Sequence, residues 1–283
     1  MAEPWTATRG WHYGTSDVAV HPLSTIAGGA AFVPNDASLG GDSSPSFLLL
    51  TGPNMGGKST LLRQTCLAAI LAHVGADVPA ASFRMSAADA VFVRAGAKDD
   101  VGAGQSTFMV ELGETAAMLR GVTRHSLVAL DELGRGTATS DGAAIASAVS
   151  DALVRVGCRT LFSTHYHRLA DEREGDETRV ALGHMGCEVR ASAGGEGAEE
   201  VTFLYTLTEG ACPKSYGVNV ARLAGLPESV LGCAARRSAA SERAELAGAA
   251  RAATRAAARG DAEALTRAWE RARREARGGR GGA

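Results

Sequence analysis

Gly52-Pro53-Asn54-Met55-Gly56-Gly57-Lys58-Ser59 has the spacing G-x-x-x-x-G-K-[ST]. Glycines there let the backbone curl so that its N–H groups face phosphate oxygens, and a following helix N-terminus adds positive potential. Lys58 can neutralise charge on the outer phosphates, and the Ser59 hydroxyl can coordinate Mg²⁺. A Gly-rich turn with an idle lysine is the bland alternative, and it fits poorly. Lys58 is one of only three lysines, with Lys98 and Lys214, among 29 basic residues.

The apolar run Ser126–Leu130 ends in Asp131-Glu132. Asp131 suits the Mg²⁺ shell, and Glu132 can act as general base on a water. Alone, an acidic pair after an apolar run is as consistent with a surface loop. Downstream of the phosphate loop it gains its meaning. His165, in Ser163-Thr164-His165-Tyr166-His167, leaves a third apolar run and can hydrogen-bond a terminal phosphate. An isolated histidine is more often structural, but this position favours the phosphate. His165 and His167 lack further ligands at zinc spacing. Ser106 or Thr107 makes a helix N-cap, or offers a second phosphate-binding helix end to a neighbouring subunit. Both readings stay open.

The elements that must position these residues follow from periodicity. Phe47–Leu50, Val91–Val93, Ser126–Leu130 and Thr160–Phe162 are compact apolar runs expected as strands. Residues 58–74, the segment from Phe108 to Gly121, and the segment from Ala144 to Gly157 carry apolar residues at helical spacing. Strand alternating with helix predicts an α/β fold with a mainly parallel sheet. Val180–Val189 and Val201–Leu207 predict a small antiparallel part. Tyr216–Ala224 and Glu228–Ala235 predict two short helices hinged at Gly225-Leu226-Pro227. Residues 1–45 are weakly periodic, with a short apolar island at Ala30–Val33.

The 283 residues carry 29 Lys+Arg and 31 Asp+Glu, a formal charge of −2, which excludes a polycation held to nucleic acid by bulk charge. Residues 234–283 depart from that balance, with 12 Arg against 6 acidic residues. Glu263/Arg267 and Glu270/Arg274 there are spaced as a solvated helix, and a nucleic-acid tail is the alternative. Hydrophobic residues make up 45%, enough for a core, yet no apolar stretch is long enough to span a membrane. Five scattered cysteines with no CxxC point to a reduced protein without structural zinc.

Together, TGPNMGGKST (Thr51–Thr60), STFMVEL (Ser106–Leu112), DELGRGTATSDG (Asp131–Gly142), FSTHYH (Phe162–His167) and KSYGVNVARLAGLP (Lys214–Pro227) resemble the MutS family of DNA mismatch-repair ATPases. FVPND at 32–36 and GACPKSYG at 210–217 look most like its sixth eukaryotic branch. The resemblance covers about residues 20–235 and implies a P-loop ABC-type ATPase with ATP and Mg²⁺ as cofactors. It implies Asn54, Gly56, Gly57, Lys58, Ser59, Thr60, Phe32, Ser106 and His184 as nucleotide-binding residues. Phe32 and His184 would pack on adenine, and Ser106 would reach the partner's nucleotide. Lys58, Glu132 and His165 would be catalytic, with Ser59 and Asp131 on the metal.

The implied organisation is an N-terminal segment (1–19), an ATPase domain (20–210), a helix-turn-helix dimerisation element (211–235) and an Ala/Arg-rich helical or disordered tail (236–283). A second MutS homologue is the implied heterodimer partner, a homodimer being possible. Mismatched duplex DNA would be met through domains that this chain lacks, in the nucleus, with no membrane involved. Full-length members place those domains upstream, so the chain is expected to be a fragment, a truncated product or a free-standing paralogue. The family usually has Arg-His before Pro22, where Val20-His21 stands here. An ATP-binding regulatory module with little hydrolysis and a meiotic-recombination paralogue are the alternatives. Gly104–Phe108 in place of Leu-Ser-Gly-Gly-Gln argues against other ABC-type chromosome ATPases.

Overall fold

The computed structural model describes residues 5–8, 32–41, 44–53, 55–80, 82–95, 106–173, 175–176, 178–191, 199–212, 216–266, 268–269 and 272. The chain divides into two units, Met1–Glu188 with Phe203–Ala211, and Val189–Thr202 with Cys212–Ala283. Its elements begin β1 (Trp5–Thr8), β2 (Ala37–Leu39), β3 (Phe47–Thr51), α1 (Lys58–His73), β4 (Ser82–Arg84), β5 (Val91–Arg94) and α2 (Thr107–Gly121). They continue β6 (Leu127–Asp131), α3 (Thr139–Val156), β7 (Arg159–Ser163), α4 (His167–Arg173), β8 (Val180–Ala191), β9 (Glu199–Glu209), α5 (Gly217–Leu223) and α6 (Glu228–Ala258).

The main sheet has the order β5-β6-β7-β3-β8-β9, and β5, β6, β7, β3 and β8 pair in parallel. Every residue of β3 and β7 is buried. A parallel strand covered on both faces must be apolar on both, which is why Phe47–Leu50 is a continuous run. Alternate residues serve opposite faces. Phe47, Leu49, Val128, Leu130 and Phe162 pack with Val149 and Leu153 of α3. Leu48, Leu50, Leu127, Ala129 and Leu161 pack with Leu61, Leu62 and Cys66 of α1. The rings of Phe47 and Phe162 stack at 6.0 Å. Each buried Val, Leu or Phe among them contributes about 1.5–3 kcal/mol relative to exposure. α3 stops where Gly157 adopts a left-handed conformation (φ 72°) that suits glycine.

The expected strands and helices of this sheet are present, and a second, antiparallel sheet of order β2-β1-β4 was not expected. Its strands are three or four residues long, too short for a period of two to show. β8 and β9 neighbour each other at the edge of the main sheet.

In the second unit, α5 and α6 are joined through Gly225 (φ 83°) and Pro227, the residue before the first turn of α6. The short helix expected over Glu228–Ala235 is corrected: α6 runs unbroken for 31 residues. Ala, Arg, Glu and Leu are strong helix formers, and no proline intervenes before Gly260 (φ 67°). Of the Glu263/Arg267 and Glu270/Arg274 pairs, Glu263 is exposed, and Arg267, Glu270 and Arg274 fall outside the described residues. Among the described residues, no helix is long and apolar enough to cross a membrane.

Candidate active site

Parallel pairing brings four strand ends to one edge. Leu50 lies opposite Ser163, Asp131 opposite Ser163, and Thr51 opposite His184. Loops leaving the carboxyl ends of parallel strands are the usual place for a ligand in such a sheet.

The loop after β3 wraps a cation. Gly52 and Gly57 take φ values of 118° and 101°, conformations that a side chain would strain. A Cβ on Gly56 would come within 3.3 Å of the Met185 side chain and of the Pro53 carbonyl, so the backbone approaches closely there. Lys58 is 3% exposed, and its Nζ donates to the carbonyls of Gly52 at 2.7 Å and Pro53 at 2.9 Å. α1 starts here with no side-chain cap and no acidic residue in its first turn, leaving its N-terminal dipole to favour an anion. Ser59 and Thr60 follow, half-buried. Asn54 lies outside the described residues.

Glu132 faces this cation. Its Oε1 lies 3.9 Å from Lys58 Nζ and touches His165 Nε2, while its Oε2 pairs with Arg135. Its backbone is left-handed (φ 59°), held by a 3.0 Å bond from its N–H to the Ser163 carbonyl. Such a conformation stores strain and is found where function needs a fixed side chain. Burial alone would push the carboxyl up. The hydrogen bond and charge of His165, with Arg135 and Lys58, outweigh burial and hold it below the ordinary glutamate value. Asp131, next door, accepts from the Ser163 hydroxyl. Glu132, Arg135, Thr137, Thr139, Thr164, His165 and Tyr166 line a cavity of about 270 Å³.

The turn after Glu132 is pinned from two sides. The Gly134 N–H donates to Glu111 Oε1 at 2.9 Å, and the Gly134 carbonyl accepts from the Tyr166 hydroxyl at 2.8 Å. Gly134 (φ 95°) and Gly142 meet backbone to backbone: a Cβ on Gly142 would sit 2.3 Å from the Gly134 oxygen. Glu111 is buried on α2, with Arg94 Nη2 at 4.0 Å. Glu111 and Tyr166 lie inside STFMVEL and FSTHYH, but sequence reasoning assigned neither a role of its own. The available signal was a carboxylate three residues after Phe108, on the side of α2 that turns inward.

Ser106 is exposed, and its hydroxyl accepts from the Met109 N–H at 3.2 Å, the N-cap arrangement. His184 Nδ1 lies 2.9 Å from the Gly210 carbonyl. Phe32 precedes Asn35, another residue the sequence did not single out. Asn35 donates to the Tyr205 carbonyl at 2.8 Å and accepts from the Leu207 N–H at 2.5 Å, and Gln64 of α1 donates to the Asn35 backbone carbonyl at 3.1 Å. The Phe32 segment is thereby tied to both β9 and α1. The geometry thus brings Lys58, Glu132 and His165 into contact, with Asp131 adjacent. Among the described residues, no three His, Cys, Asp or Glu side chains converge to hold a metal.

A family model described as MutS domain V matches residues 48–242. DNA mismatch repair protein MSH6 of Arabidopsis thaliana is 61% identical over 214 residues, covering 75% of this chain and 16% of that protein. DNA mismatch repair protein Msh6 of Homo sapiens is 51% identical over 210 residues, covering 72% and 15%. DNA mismatch repair protein MutS of Anaeromyxobacter dehalogenans is 50% identical over 212 residues, covering 72% and 23%. The chain therefore spans less than a quarter of the length of each of these relatives.

Proposed function

The chain belongs to the MutS family, and from that premise we propose that it is the ATP-binding and ATP-hydrolysing dimerisation domain of a DNA mismatch-repair protein. The observation that carries the reading is the Glu132 carboxylate, ionised and half-buried between Lys58, His165 and Arg135 at the mouth of the glycine loop.

The residues divide the work as follows. Backbone N–H groups from Gly56 to Thr60, with Asn54, bind the phosphates, and Lys58 neutralises their charge. Its Nζ, now capped by two neutral carbonyls, is a buried cation suited to exchange those contacts for a phosphate. Ser59 and Asp131 hold Mg²⁺, which when bound supplies charge neutralisation at the outer phosphates. Glu132 orients the attacking water and takes its proton, and its depressed pKa keeps it ionised for that role at neutral pH. His165 hydrogen-bonds the terminal phosphate and reports its loss. Phe32 and His184 pack on adenine, an apolar and stacking task.

Glu132 Oε1 is engaged by His165 and Oε2 by Arg135, and the remaining lone pairs of the carboxylate can accept from a water held between these partners. In the assembled dimer, Ser106 reaches the partner's nucleotide, making an ABC-type composite site. Residues 211–235 form the dimerisation element, and a second MutS homologue is the partner. Residues 20–210 form the ATPase domain, and residues 1–19 and 236–283 flank these parts. ATP state is relayed to mismatched duplex DNA held by other parts of the protein, in the nucleus. The match to MSH6 proteins supports a place in the sixth eukaryotic branch.

The test is ATP turnover per chain across a wide range of protein concentration. A rate that climbs with concentration supports a site completed by a second copy. A rate near zero throughout, restored by adding a second MutS homologue, supports the heterodimer. A rate near zero with nucleotide bound and no partner effect replaces this reading with an ATP-binding regulatory module.

A further inference from the structure

α6 carries its positive charge on one side only. At about 100° per residue, Arg236, Arg237, Arg243, Arg251, Arg255 and Arg259 fall within one arc of about 160°. All six are exposed. Leu231, Ala249 and Ala256, the buried residues of this helix, lie on the opposite side. Glu228, Glu242 and Glu245, the only acidic positions of α6, lie outside the arc. Among the described residues no ion pair engages any of the six arginines. Arg255 alone makes a side-chain bond, to the Arg251 carbonyl at 3.3 Å. A helix solvated by mixed charge would alternate signs around its surface, and this one does not. The segregation also runs against the rest of the chain, where 17 basic residues face 25 acidic ones.

The positions between the arginines on this arc are small, among them Ala240, Ala244, Ala247 and Ala258. A membrane-surface helix needs large apolar residues to bury in the acyl region, and a protein-docking face needs a bulky anchor. Small residues between exposed guanidinium groups suit a stiff polyanion lying against the helix. Guanidinium groups bind phosphate oxygens in bidentate fashion. From Arg236 to Arg259 the face is about 35 Å long, and a duplex of that length carries about 20 phosphate charges.

We propose that this face of α6 docks the phosphate backbone of duplex DNA without regard to base sequence. The proposal does not rest on the nucleotide site. Neutralising six phosphates gives a slope of about −5 in log K against log salt, a fall of about 10³-fold between 50 and 200 mM. The experiment titrates a fluorescent 30-base-pair duplex of mixed sequence with the full chain at several salt concentrations. It is repeated with all six arginines changed to Gln, a substitution that keeps helix propensity, with helix content checked by circular dichroism. A control carries Arg63→Gln, Arg120→Gln and Arg124→Gln, three exposed cations elsewhere. Support is a slope near −5 for the native chain and the control, reduced by more than half in the six-fold variant. The proposal is overturned by a native slope shallower than about −2, or by an unchanged slope in the six-fold variant. Loss of binding on truncation after Gly260 but not in the six-fold variant also overturns it. So does capture by phosphatidylserine vesicles that duplex DNA cannot displace.

Discussion

Replacing Glu111 with Ala removes the acceptor that pins the turn beyond Glu132. The carboxylate is 6% exposed and takes the Gly134 N–H at 2.9 Å, with Arg94 Nη2 at 4.0 Å. A buried N–H left without a partner costs about 1–3 kcal/mol, and a hydrogen bond to a charged acceptor is worth about 1.5–3 kcal/mol. Arg94 keeps Glu114 at 2.9 Å, so its charge is not stranded. The expected loss of stability is therefore about 2–3 kcal/mol, measured by urea unfolding. Gly134 is two residues from Glu132, and a misplacement of about 1 Å in a catalytic group can cost about 10²-fold. Glu111→Ala should lower kcat for ATP by about 10- to 100-fold and change nucleotide affinity by less than about 3-fold, because the Lys58 loop hangs on other elements. Glu111→Gln keeps an acceptor for Gly134 and should recover most of kcat. A Glu111→Ala variant that loses stability yet keeps full kcat would refute the positioning role. One that loses nothing would refute the hydrogen bond itself, and equal loss in Glu111→Gln would refute the rescue.

Two further perturbations read other parts of the site. In Glu132, burial pushes the pKa up and His165 is the first group that pulls it down. His165→Ala should therefore raise it, so that the acid limb of the kcat/KM profile moves to higher pH; a limb that stays or moves to lower pH contradicts the pairing. Among the five cysteines, Cys66 is buried with its thiol pushed up to about 12, and Cys158 and Cys212 are also buried. A colorimetric thiol titration at pH 8 should label Cys187 and Cys233 promptly and the other three only after denaturant is added, and prompt labelling of Cys66 would contradict the packing of α1 on β6.

Much of the central sheet was legible because its chemistry is local. The runs at Phe47–Leu50 and Leu127–Leu130 are buried on both faces, so their sequence is continuous and apolar, and the glycines of residues 52–57 announce a loop. Lys58, Glu132 and His165 could be paired in advance because each stands within two residues of a strand or loop end. What binds over distance left little trace. The Glu111–Gly134 bond spans 23 residues and the Tyr166–Gly134 bond 32, and no spacing rule links them. Asn35 reaches Tyr205 and Leu207 across 170 and 172 residues, so it reads as one more polar residue in a weakly periodic stretch. The short strands β1, β2 and β4 owe their conformation to one another rather than to propensity. The full length of α6 was missed for the opposite reason: low-complexity Ala and Arg carry no apolar stripe to follow, although their helix propensity alone supports the element.

The measurement that bears most directly on the central claim is paired nucleotide binding and single-turnover hydrolysis for the native chain and Glu132→Gln, at a concentration where the native chain turns over. Glu132→Gln keeps the size of the side chain and loses the base. The predicted result is nucleotide bound within about 3-fold of native affinity, with hydrolysis slower by at least about 10²-fold. Hydrolysis at the native rate in that variant would remove Glu132 from the reaction and contradict the account.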